Sequence, residues 1–246
     1  MQSEHPAELA RLWRAAGPSR LGRRPELDTE RVVRSAVELA DRDGVDAVTL
    51  ARLAGSLGVT TMALYRHIGS KDELLGLMQD LAVGEPPEIK DAGDFLSGLR
   101  EWATAFRRVY DDHPWLAGVT LASPPLGPYS VAWMNLALVL LRPTGLDWGE
   151  KLAVLGMLSG YVRQSAQLAI GFAQSGAGTP EAEAAYGRSL AQLIDPQTYP
   201  EVAQLVASGA LGAPPAEGDP DEFTYGLTII LHGIAHPPAH ERAVPK

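Results

Sequence analysis

Three groups of residues in this chain of 246 have types and spacings that can do chemistry, and two of them lack the partners that chemistry needs. His232 and His236 stand four apart, which puts both imidazoles on one helix face and can hold a divalent cation, with His240 beyond Pro237 and Pro238. No glutamate lies between them as in the H-E-x-x-H hydrolases, so no metal site is expected. Asp111-Asp112-His113 offers an acid and a base, but it closes a helix ahead of Pro114, where capping and solvation account for it, and His113 has no nucleophile to serve. A chain with no cysteine has no thiolate catalysis, disulfide or zinc-thiolate site, and it fits a reducing compartment. With no glycine-rich phosphate loop either, the chain reads as a non-enzyme without a cofactor. The third group is cationic. Ser70-Lys71-Asp72-Glu73 has the S-x-x-E spacing of a capping box, in which Ser70 caps a helix and Glu73 reaches back to its amide. Lys71 at the first helical position opposes the macrodipole, which favours anions there. A backbone phosphate would satisfy both Lys71 and the free amides; plain solvation is the alternative.

The elements that must position Lys71 lie just upstream. Thr49 caps a short helix whose Leu50, Leu53, Ala54 and Leu57 follow i, i+3, i+4, i+7 spacing. Gly58 can take the left-handed conformation that ends it, and Thr60 caps the next helix, predicted over Thr61 to Ile68. Val59 before that cap and Leu64 four positions after it form a hydrophobic staple, which sets the entry angle locally. Leu64 and Ile68 face inward; Thr61, Met62, Ala63 and Arg66 face the open side, where short side chains permit approach to a groove. A longer helix from about Asp28 to Asp43 supports the pair through Val32, Val33, Ala36, Leu39 and Ala40, with Asp28 or Thr29 as cap and Gly44 as stop. This is the pattern of a helix-turn-helix DNA reader.

The run LDTERVVRSAVELADRDGVDAVTLARLAGSLGVTTMALYRHIGSKDELL resembles the N-terminal domain of the tetracycline-repressor-like (TetR) family of bacterial transcriptional regulators, most sharply over LYRHIGSKDELL. The resemblance implies that Tyr65, His67 and Lys71 contact phosphates, that Thr60, Thr61, Met62 and Ala63 approach base edges, and that Thr49 faces the backbone. The residues themselves also allow Tyr65 as a half-buried aromatic and His67 as a helix C-terminal cation. Met62 and Ala63 have no hydrogen-bonding side chain, so direct reading there is apolar contact with thymine methyls. Arg66 is either a base contact or a solvated charge.

A net charge of −9 opposes DNA binding only if it is evenly spread. Residues 1–71 hold 11 Lys and Arg against 9 Asp and Glu, while the remainder holds 10 against 21. The acidity belongs to the second part. Arg11, Arg14, Arg20, Arg23, Arg24, Arg31 and Arg34 precede or open the first long helix; such an arm either follows phosphates or serves as a solubilising tail. Arg23 and Arg24, beside Pro25, are the candidate contacts.

Beyond Lys71 the chain reads as helices at about 71–83, 92–112, 127–142, 147–174, 180–194, 199–208 and 220–235, punctuated by Pro and Gly clusters. The helices at 147–174 and 220–235 are apolar over more than one face, which points to a homodimer through a two-fold four-helix contact. Such late helices form the dimer in the family resembled, and a dimer suits two half-sites about one turn of DNA apart. The resemblance also implies a small-molecule pocket. Trp102, Phe106 and Tyr110 at i, i+4, i+8, with Trp115, Trp133, Met134, Met157, Tyr161 and Gln164, are its candidate lining, though aromatic stripes equally make plain core. The N-terminus lacks an apolar signal core, and runs such as Val131 to Leu141 fall short of the ~20 residues of a membrane span. A soluble cytoplasmic protein without a membrane partner is expected.

These readings combine into an all-α protein with a basic arm at 1–25, a helix-turn-helix domain at 26–72 and a helical effector-binding and dimerisation domain at 73–246. The expected function is a ligand-responsive transcriptional regulator, a repressor released from a palindromic operator by a small hydrophobic effector. The alternatives are an activator or ligand-independent regulator, and, in another class, a helical ligand-binding protein or enzyme.

Overall fold

The computed structural model describes Trp13 and residues 28–89, 94–119, 126–213 and 220–236; Arg23, Arg24 and His240 lie outside them. All regular structure among the described residues is helical. The head comprises α1 (Thr29–Asp43), α2 (Leu50–Leu57), α3 (Thr61–Leu64) and the start of α4 (Lys71–Val83). Asp28 caps α1 by accepting the Arg31 amide at 2.8 Å. The predicted stripe Val32, Val33, Ala36, Leu39 and Ala40 is buried against Leu53, Ala54, Leu64 and Ile68, so three short helices share one core.

The body is built around α5 (Phe95–Asp112), which packs on α7 (Pro128–Leu140), α8 (Trp148–Ser175) and α11 (Glu222–Ala235). Leu99, Trp102, Ala137, Leu158, Val162, Leu227 and Leu231 form its interior. Asp94 and Asp221 cap α5 and α11, and hydrogen bonds from Ser97 and Thr224 respectively hold their carboxyls below the usual carboxylate range. The capping box of α8 is complete: Asp147 accepts from the Glu150 amide and Glu150 from that of Asp147. Helices α9 (Pro180–Leu193) and α10 (Pro200–Ala207) pack on each other.

Three local details differ from the sequence reading. Regular helix in α3 stops at Leu64, because His67 N–H bonds the Leu64 carbonyl at 2.8 Å, a three-residue spacing tighter than α. The tightened turn lets Ile68 drop fully into the core while the chain still begins α4 three residues on. Glu73 accepts from the Gly69 amide at 2.9 Å rather than from that of Ser70, because its side chain is tucked beneath the turn. Finally, Trp115–Gly118 forms a one-turn helix, α6, too short for any periodicity to announce.

Head and body are not separate globules. Leu74, Leu77 and Met78 of α4, and Trp115, Leu116 and Val119 around α6, all enter the core of the head. Asp41 of α1 accepts from His113 Nδ1 and from Trp115 Nε1, both at 2.7 Å, which explains the histidine that lacked a nucleophile. Substituting Leu64→Ala, which empties the centre of the head, is expected to lower stability by about 2–5 kcal/mol. The check is urea unfolding followed by circular dichroism, with a lower midpoint at unchanged slope.

Candidate nucleic-acid interface

The interface is held by its caps. Thr49 Oγ1 accepts from the Arg52 amide at 3.3 Å, Thr60 Oγ1 from the Ala63 amide at 3.3 Å, and Ser70 Oγ from the Glu73 amide at 3.0 Å. Three successive helix starts are thereby fixed by their own side chains, each worth about 1 kcal/mol. Gly58, at φ 69° and ψ 29°, closes α2 in the left-handed region where a side chain is strained, and its amide bonds the Ala54 and Gly55 carbonyls. Val59 and Leu64 lie in the same core, completing the staple.

With Leu64 and Ile68 inward, Thr60, Thr61, Met62, Tyr65 and Arg66 face solvent; Met62 is 72% exposed and Tyr65 49%. They give this structured surface one apolar and one aromatic contact for a partner. Ala63 and His67 are half-buried, and the His67 carbonyl accepts from Thr29 Oγ1 at 3.4 Å, which ties the end of α3 to α1. Lys71 is exposed beside the open N-terminus of α4, so a cation and a positive helix end face the same side. Thr49 and Thr60 are exposed too, but their hydroxyl oxygens are engaged as caps, leaving each an O–H to donate. Arg34 pairs with Glu30, and Arg52 with Asp43 at 2.6 Å. A hydrogen bond from Arg42 above all, with Arg52 adding to it, holds the Asp43 carboxyl below its usual range.

The candidate lining residues separate. Trp102, Phe106, Tyr110 and Trp133 come together as a ladder, with centroid distances of 5.2 Å for Trp102–Phe106, 5.0 Å for Phe106–Trp133 and 5.5 Å for Phe106–Tyr110. Burial pushes the Tyr110 hydroxyl up, against the nearby charge of Arg163. Met134 flanks Trp133 on α7 and is half-buried. Tyr161 instead stacks on Phe223 at 5.6 Å and donates to its carbonyl, tying α8 to α11. Trp115 joins the head core, while Met157 and Gln164 point outward, a half-turn of α8 away from the buried Leu158 and Val162 stripe. Sequence spacing is blind to such separation, because Trp115 is captured by Asp41 across 74 residues. Arg163 and Gln167 both donate to the Ala117 carbonyl at the end of α6, a tie between distant elements that no local spacing announces. His232 and His236 stack at 5.5 Å and form no group of three or more potential ligands among the described residues.

A head that exposes a capped one-turn helix beside a cationic helix start, joined to a larger helical body with an aromatic interior, defines a helix-turn-helix regulator. Residues 32–78 match the family described as bacterial regulatory proteins, tetR family, and residues 87–237 the tetracyclin repressor-like C-terminal domain. The chain belongs to the tetR family: it is a DNA-binding transcriptional repressor and not an enzyme. It is 34% identical over 234 residues to the HTH-type transcriptional repressor DrrR1 of Streptomyces coeruleorubidus, covering 92% of this chain and 84% of that one. The tetracycline repressor protein class C of Escherichia coli is 36% identical over 86 residues, 34% of this chain and 39% of that protein. Among solved structures, ActR of Streptomyces coelicolor in complex with actinorhodin superposes with a TM-score of 0.71 at 27% identity, covering 85% of this chain and 95% of that one. No helix among the described residues is long and apolar enough to cross a membrane.

Lys71→Glu is expected to weaken operator and random DNA alike. It also makes log affinity less steeply dependent on log salt, by about one for each phosphate that Lys71 no longer neutralises. Fluorescence anisotropy titrations across a salt series check both effects.

Proposed function

We propose that two copies of this chain, acting in the cytoplasm, grip a palindromic operator through α3 and the α4 N-terminus, and that a small hydrophobic effector in the body releases them. The carrying observation is the outward stripe of α8: Ala153, Gly156, Met157, Gly160, Gln164, Leu168, Gly171 and Phe172 are all exposed or half-exposed at helical spacing. Small residues alternating with large apolar ones on a long helix with an open face permit close approach by another helix, and among the described residues nothing beyond the adjoining helix backbone lies within 4 Å of a Cβ placed at Gly156, Gly160 or Gly171. Tyr225 and Ile229 on α11 are open as well. A two-fold contact through these helices supports two heads at half-site spacing.

The aromatic ladder of Trp102, Phe106, Tyr110 and Trp133 is the proposed effector wall, with Met134 beside it. The solved ActR complexes, which hold actinorhodin and (S)-DNPA, support a small-molecule effector for this body. Thr60, Thr61, Met62 and Ala63 face the bases; Tyr65, His67, Lys71 and Thr49 face the phosphates, with Arg66, Arg23 and Arg24 adding charge. Release follows if the effector binds one spacing of the heads better than the other, by the amount of that difference.

Ile229→Glu is expected to convert the dimer to monomer in sedimentation velocity and to abolish discrete operator shifts. In thermal-shift screening of hydrophobic aromatic compounds, those that raise the melting temperature should also release operator DNA, and Trp133→Ala should remove both effects. Compounds that stabilise the protein yet leave operator affinity unchanged would overturn the induction mechanism.

A further inference from the structure

The amino end of α7 lacks a cap of its own. Its N-cap residue, Gly127, has no side chain, and its first residue, Pro128, has no amide hydrogen. The missing acceptor comes from α4. Asp80, 5% exposed, accepts from the Ser130 amide at 2.9 Å, the Ser130 hydroxyl at 2.8 Å and the Tyr129 amide at 3.3 Å. A Cβ at Gly127 would stand 2.0 Å from the Asp80 carboxyl carbon, so glycine is required for the carboxylate to enter. A second contact lies one helical turn further on, where Trp133 Nε1 donates to the Gly84 carbonyl at the end of α4, at 3.0 Å. The Trp133 carbonyl in turn accepts from Trp102 Nε1 at 3.1 Å.

We propose that Asp80 is the positioning residue that couples α7, and with it the aromatic ladder, to the orientation of the head. The inference rests on the reading of the head as DNA-facing and the ladder as effector wall. Helix α4 is a lever of 13 residues, about 20 Å long, with Lys71 at one end and this cap at the other. Asp41 also ties the head to the body, through His113 and Trp115, but the Asp41–His113 pair is 31% and 23% exposed on its two sides, so water replaces that contact at little cost. A carboxylate as buried as Asp80 has no such substitute, so α4 and α7 move together or the cap is broken.

The absence of cysteine makes the full-length chain directly suitable for site-specific spin labelling. Nitroxides at Glu38→Cys on α1 and Asn135→Cys on α7, both exposed, report the head-to-body distance by double electron–electron resonance. Labelled chains are diluted in unlabelled protein so that only pairs within a chain contribute. One narrow distribution is expected in the parent. It broadens in Asp80→Ala and in Gly127→Ala, and it stays narrow in Asp80→Asn, which keeps an acceptor oxygen. Operator affinity in Gly127→Ala should fall with its salt slope intact, whereas Lys71→Glu reduces the slope. Distributions as narrow as the parent in the two alanine variants would overturn the proposal, as would equal broadening in Asp80→Asn. Should Asp80→Ala fail to fold, Gly127→Ala against Asp80→Asn decides. Failure of the parent to prefer its own upstream DNA sinks the regulator reading alone, because the distances test the coupling without DNA.

Discussion

A helix of four residues cannot hold its own shape in water, since nucleation fixes several dihedrals for a single hydrogen bond. The solvent-facing helix α3, the proposed reading element, is that short. Its pose is therefore borrowed: Leu64 and Ile68 anchor it in the head core, Thr60 fixes its start, and the carbonyl of His67 is held by Thr29 from α1. Everything the exposed Thr61, Met62, Tyr65 and Arg66 can do to DNA follows from this external support. Anything that shifts α1 or α4 shifts the reading face with them.

That dependence links recognition to the body. The head core does not close on its own helices, because Trp115 and Leu116 of α6 fill it from outside. The far end of α6 is held by Arg163 and Gln167 from α8, the helix that also carries the outward apolar stripe. Covalent order places α6 with the body, whereas packing places it under the head. A regulator needs such shared parts: two cores meeting only at a flexible linker would have no means of biasing each other.

How much of this was legible in sequence depends on the range of the interaction. Caps and stripes are local, so Thr49, Thr60, Ser70 and the spacing of Val32 to Ala40 announced the head almost residue by residue. The end of α3 was not legible, because it turns on how deeply Ile68 sinks, a property of the packed core. Aromatic spacing found the ladder on α5 but could not separate Trp115, Met157 and Gln164 from it. Their placement is decided by an aspartate 74 residues away and by which face of α8 the body covers. The same holds for Asp80: in sequence it is one more acid on an amphipathic helix, and only the fold brings an uncapped helix start against it.

The charge distribution follows the same division of labour. Through Lys71 the chain is slightly basic, while the rest carries more than twice as many acids as bases. An acidic body repels the DNA that the head must approach, so the duplex is favoured only on the side where α3 and the α4 N-terminus emerge. In the proposed binding mode, orientation on the operator would precede the reading of any base. The sparse side chains of Met62 and Ala63 would, in that mode, complete recognition through shape and methyl contacts once Lys71 and the helix terminus set the register on the phosphates.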